Sequence, residues 1–122
     1  MSKIETIPEI RALVARWLGE EPAFRYSESF TAIALCTAHA IAILGVEVLR
    51  PEGDQYQVLS FSAYETGESG RVLDSAQRAN DWRTFVDRNN AYAEKYIRSE
   101  ERPGEDVIYL FTDASRWPVS PD

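Results

Sequence analysis

The run DWRTFVDRNNAYAEKYI, residues 81–97, decides how the chain is read. Its apolar residues Trp82, Phe85, Val86, Ala91, Tyr92, Ala93, Tyr96 and Ile97 recur mostly at steps of three and four, which places them on one face of an α-helix. Arg83, Asp87, Arg88, Glu94, Lys95 and Arg98 occupy the rest of the circumference. Asn80 or Asp81 can cap the start, with an acid near the positive end of the dipole. A stripe carrying Trp, Phe and two Tyr must be buried. The helix is therefore predicted to be the spine of the domain, packed on a sheet through Trp82, Phe85, Tyr92 and Tyr96. Asn89 and Asn90 interrupt it, and Asn is a mediocre helix former because its side chain competes for backbone groups. Two roles fit Asn89, one turn after Phe85: a half-buried amide bonded to a neighbouring loop or strand end, or a polar group shown to a partner or ligand.

Before this helix, Thr6-Ile7-Pro8-Glu9 reads as a capping box, and a helix is expected over 7–18 with Ile10, Leu13, Val14, Trp17 and Leu18 inward. Gly19 would stop it, and Glu20-Glu21-Pro22 breaks the chain. A second helix is expected after Ser27 or Ser29, with the body FTAIALCTAHAIAIL. It is apolar nearly all round, so it is enclosed on more than one side. Its last turn, 40–44, can instead begin a strand, and Gly45 marks the transition. Strands are expected over 46–50 and 56–63, joined by the five-residue turn Pro51-Glu52-Gly53-Asp54-Gln55. In the second strand Tyr56 and Val58 share one face while Leu59, Phe61 and Ala63 share the other, a phase change that permits a bulge or a strand covered on both sides.

After these strands, residues 65–79 read as a loop and 99–105 as a charged turn. Residues 107–111 read as a buried strand closing the sheet, and the tail after 115 as irregular. This order gives an α+β domain: a small, mostly antiparallel sheet packed against about three helices, with residues 1–122 as a single domain.

The hydrophobic fraction, 44%, suits a globular chain with one real core. The apolar run 32–46 is interrupted by Cys36, Thr37 and His39, and is shorter than the ~20 residues of a membrane span. The opening MSKIETIPEI lacks a basic segment followed by an apolar one, so no signal peptide is expected. The single Cys36 allows no internal disulfide, and a reducing cytoplasm is the default. The net charge of −7, from 20 acids against 13 bases, disfavours nucleic acid as a partner and suits a cationic protein; it also fits plain solubility.

Cys36 and His39 stand three apart on one helical face, so a thiolate–imidazole pair is sterically available. Their Ala, Ile and Leu neighbours instead mark both as core residues. No spacing suggests a metal site, no phosphate-binding glycine loop is present, and no cofactor is expected. Glu47, Glu65 and Glu68 offer carboxylate pairs for acid–base work or a divalent ion, but so acidic a chain contains accidental pairs. The acids stand out more as two groups: Glu52, Asp54, Glu65, Glu68 and Asp74, then Glu100, Glu101, Glu105 and Asp106. Loops on a rigid scaffold are where recognition tends to live. These groups, with Tyr64 and Trp117 as aromatic anchors, are the expected surface for a basic partner; the bland alternative is a solvated charged rim.

The run Gly45-Val46-Glu47-Val48-Leu49, then Val58-Leu59 and Tyr64-Glu65, then Trp82, Phe85, Val86, Asn89-Asn90, Ala93 and Ile97 resembles the small immunity proteins of bacterial polymorphic toxin systems, in particular immunity protein family 40. The resemblance spans residues 38–97, about half the chain, and rests mainly on core positions. It implies a cytoplasmic, non-catalytic protein that binds and neutralises a toxin domain, commonly a nuclease or other enzyme from a neighbouring cell. It carries over no binding residue and leaves the oligomeric state open.

Overall fold

The computed structural model describes residues 2–63 and 75–116, with side chains from residue 80 onward in the second segment. A 3-10 turn, Lys3–Thr6, leads into a short helix α1, Pro8–Arg11. Strands β1, Arg16–Leu18, and β2, Glu21–Phe24, form a hairpin. Helix α2, Tyr26–Ala38, is followed by β3, Ala42–Glu52, and β4, Gln55–Ala63. Helix α3, Ser75–Ser99, precedes β5, Ile108–Ala114. The sheet order is β1-β2-β5-β3-β4, and each pairing is antiparallel. The expected α+β class is therefore correct, with the last strand as the centre of the sheet and not its closing edge.

Alternation along the strands sorts side chains to two faces. Phe24, Val46, Val48, Tyr109 and Phe111 turn to the inner face and form one core with Ile4 and Ile10, with Ile33 and Cys36 of α2, and with Ala93 and Ile97 of α3. Trp82, Phe85 and Val86 continue the α3 stripe into a second cluster with Ala42, Leu44 and Ala114 at the end of the sheet. The Trp82 and Phe85 rings stack at 5.3 Å, and the Trp82 indole N–H donates to the Ala40 carbonyl at 2.8 Å. Tyr96 is half-buried, but Tyr92 is 50% exposed, so it does not belong to the inward stripe. A single helical stripe is narrower than the set of aromatic residues that share its period.

Three boundaries depart from expectation. Residues 12–18 are not helical. The Leu13 and Val14 amides close onto Ile10 and Arg11, and then the Ala15 amide donates to the Ala23 carbonyl at 2.8 Å, opening the β1–β2 ladder. Trp17 goes to the inner core and Leu18 to the outer face, a two-residue alternation that the three-and-four spacing conceals. Gly19, at φ 62, is not a helix stop but the first residue of a two-residue hairpin turn. Second, α2 begins earlier than Ser27 or Ser29, and Ser29 lies buried inside it, donating to the Tyr26 carbonyl. Third, α3 begins at Ser75, so residues 75–79 belong to the helix and not to a loop.

The expected capping box is also absent. The Thr6 hydroxyl donates to the Lys3 carbonyl, while Ser2 accepts the Ile4 amide and donates to buried Asp113 at 2.7 Å. The transition from α2 to β3 falls at Ala40, at φ 56, rather than at Gly45. Gly45 lies within β3, where an added Cβ would stand 2.9 Å from the Ser62 carbonyl oxygen. The bulge permitted by the phase change in β4 is present: the register shifts between Val48 and Leu49, leaving Leu59 as the extra residue. The β3–β4 turn itself is only two residues, Gly53 and Asp54, between the paired Glu52 and Gln55.

Candidate protein-binding surface

Asn89 and Asn90 have structural duties. The Asn90 carbonyl oxygen accepts the Ile43 amide at 2.8 Å, and its amide donates to Ile41 O and Thr37 Oγ1, both at 2.9 Å. Asn89 donates to Ile43 O at 3.3 Å. Both side chains are fully enclosed, tying the middle of α3 to the irregular entry of β3. Of the two roles for Asn89, the amide bonded to a strand end is the observed one.

Cys36 is buried, and desolvation, reinforced by the Asp113 charge, pushes its thiol far above the ordinary range. His39 is not a core residue. It closes α2 on the surface, with its Nε2 3.8 Å from a Glu9 carboxylate oxygen. One side chain is inside and the other outside, so they form no thiolate–imidazole pair. Glu47 points to the outer face, opposite to the side on which α3 presents Asn89, so these two do not converge on one pocket. Among the described residues no cluster of His, Cys, Asp and Glu could hold a metal ion.

The acidic candidates divide. Glu52 and Asp54 are exposed at the β3–β4 turn. Ile108 pairs with Leu49, so the segment entering β5 reaches the same end of the sheet and brings Glu100, Glu101, Glu105 and Asp106 there. Three of these four are engaged. Glu105 pairs with Arg50 and Asp106 with Arg25. Glu100 pairs with Arg102 at 3.4 Å and accepts from the Ser60 hydroxyl, beside Tyr96. Their charge is largely answered within the chain, and among the described residues Glu52, Asp54 and Glu101 are the candidates of that end without an ion pair or hydrogen bond. Tyr64, Glu65, Glu68, Asp74 and Trp117 lie outside the described residues. The described chain leaves β4 at Ala63, paired with Gly45, and resumes at Ser75, the start of a helix about 37 Å long whose other end adjoins Glu100. Of the first acidic group, the described members Glu52 and Asp54 share one end of the sheet with the second group.

Alternation also identifies a surface that the charge pattern concealed. On the outer face, Ala23, Leu49, Ile108 and Leu110 form a small cluster with Leu18 and Tyr56 against it. Beyond this cluster β4 presents Val58, 53% exposed, and Phe61, 70% exposed. Phe61 lies directly across the ladder from exposed Glu47, and Val58 across from Leu49. The only sequence signal for this patch was the phase change in β4; the bulge puts Tyr56, Val58 and Phe61 on one side together.

Compared with protein-family models, with curated proteins and with solved structures, the chain finds no match.

Proposed function

We propose that this chain is an immunity protein, which binds a basic toxin domain in the cytoplasm and neutralises it without catalysing a reaction. The observation that carries the reading is the exposed Phe61 and Val58, held on a sheet beside a carboxylate, Glu47, that has no partner among the described residues. A small domain ordinarily buries such side chains, and an aromatic anchor with an acidic neighbour suits a protein partner. Three further facts support it. The net charge is −7, the amides and thiol that could serve a ligand site are committed to the core, and no described helix is long and apolar enough to cross a membrane.

Two other readings compete: a ligand-binding domain or enzyme using carboxylates near Glu47 and Glu65, and an oligomeric subunit. Co-purification with the product of the adjacent upstream gene separates them. Immunity predicts a stoichiometric complex, tighter at low than at high ionic strength, in which the toxin's activity is lost. No complex, together with saturable binding of a metabolite, would favour the ligand-binding reading; a stable homo-oligomer alone would favour the third.

A further inference from the structure

We propose that the outer face of the β3–β4 hairpin docks an arginine of a basic partner protein, its guanidinium lying on the Phe61 ring and pairing with the Glu47 carboxylate. The inference rests on the reading of the chain as a binder of a basic protein, and it specifies the site and the recognising chemistry. Directly opposed residues of an antiparallel pair carry Cβ atoms about 4.5–5.5 Å apart. The carboxylate of Glu47 and the ring of Phe61 can therefore meet a single planar cation. Both side chains are exposed, and among the described residues neither has a polar or ring partner. Val58, on the same side and nearer the hairpin tip, extends the apolar floor for the partner's neighbouring side chain.

The same chemistry is already complete elsewhere in the molecule. Arg98 lies over the Phe30 ring at 4.5 Å and bonds the Glu94 carboxylate at 2.9 Å. Glu47 and Phe61 reproduce the acid and the ring of that trio and lack its cation. Arginine fits better than lysine because its flat guanidinium can stack and donate in the same plane, whereas an ammonium is a compact, strongly hydrated charge. The excess of acids over bases favours approach of a cation to this face over approach of a second copy.

The probe is an acetylated, amidated peptide, Gly-Val-Arg-Val-Gly, with a second in which citrulline replaces arginine: the same shape without the charge. Backbone amide shifts are followed by NMR. The arginyl peptide is expected to move residues 45–49 and 58–63 saturably, and the citrulline peptide to bind at least about tenfold more weakly. Phe61→Leu keeps an apolar side chain without a ring and should weaken binding about threefold; Glu47→Gln should weaken it about fivefold. Both positions are on the surface, so the fold is not at stake. Equal shifts with citrulline, or shifts confined to the hairpin tip and residues 101–106, would overturn the proposal. So would shifts at β4 that grow with protein concentration and no peptide, which would make the patch an interface between copies. A toxin complex indifferent to both substitutions would sink this site and leave immunity standing. Arginyl-peptide binding without any toxin partner would do the reverse.

Discussion

Cys36 shows how burial turns a reactive residue type into an inert one. Desolvation disfavours the thiolate, and the nearby Asp113 charge disfavours it further. In the native state the group therefore stays a neutral thiol well above its ordinary value of 9.0, whereas the unfolded chain ionises there. Its contribution to stability is full below pH 9 and is lost as pH rises, by about 1.4 kcal/mol per pH unit. Urea midpoints measured at pH 8, 9 and 10 should fall across the last step in the parent and fall less in Cys36→Ala, whose own starting stability is lower. Native protein should also resist a thiol reagent that labels the urea-unfolded chain quickly. A labelling rate near the unfolded one would mean that the thiol is not enclosed. His39, three residues on, is exposed, because α2 ends there and the imidazole emerges beside Glu9.

Between elements, the decisive contact is α3 against the start of β3. The chain leaves α2 through Ala40 in a left-handed conformation and enters β3 ahead of Gly45, where the described β3–β4 pairing ends, and there the Ile43 amide and carbonyl bond the asparagines of α3. Asn90 supplies three hydrogen bonds to this corner and Asn89 one. Asn90→Ala removes all three and leaves the Ile43 amide and Ile41 carbonyl buried without them, a cost of about 2–4 kcal/mol by urea unfolding. A loss under 1 kcal/mol would show that water or a shifted backbone replaces the side chain. The helical period made α3 legible, including burial of Trp82, Phe85, Val86, Ala93 and Ile97. The paired asparagines at mid-helix were legible as an anomaly, but their partners were not, because a long-range bond to backbone leaves no trace at the receiving residues. The same period misled over 12–18: Val14, Trp17 and Leu18 fit a helical spacing, whereas in the strand the adjacent Trp17 and Leu18 go to opposite faces. The edge of β2 decides for the strand, and β2 is itself held by its pairing with β5, far along the chain and outside any one sequence window.

At the scale of the molecule the sheet is strongly coiled. Strands β1 and β4 are the two ends of a five-strand order, about 19 Å apart were the sheet flat. Yet the Arg16 guanidinium donates to the Tyr56 hydroxyl at 3.0 Å and lies 5.8 Å from its ring centroid. The two side chains reach towards each other over the Ala23–Leu49–Ile108–Leu110 cluster, giving the outer face a closed end and, beyond Val58 and Phe61, an open one. Charge is arranged along the same axis. Glu105 and Asp106 are answered by Arg50 and Arg25, whereas Glu52 and Asp54 at the hairpin tip are not answered among the described residues. If the hairpin face docks the proposed partner, the acids at its tip should steer encounter, while the Phe61 contact should govern residence. Reversing both tip acids, Glu52→Lys with Asp54→Lys, should therefore slow association with a basic toxin domain by roughly three- to tenfold and flatten its salt dependence, leaving dissociation nearly unchanged. Folding stability should move by no more than about 0.5 kcal/mol, since both acids are exposed and neither is paired among the described residues. Phe61→Ala should do the opposite, with a faster dissociation and an almost unaltered association rate. Stopped-flow measurements at two ionic strengths read both constants. A tip reversal that acts mainly on dissociation would place the tip inside the interface, and the division between steering acids and a docking ring would then fail.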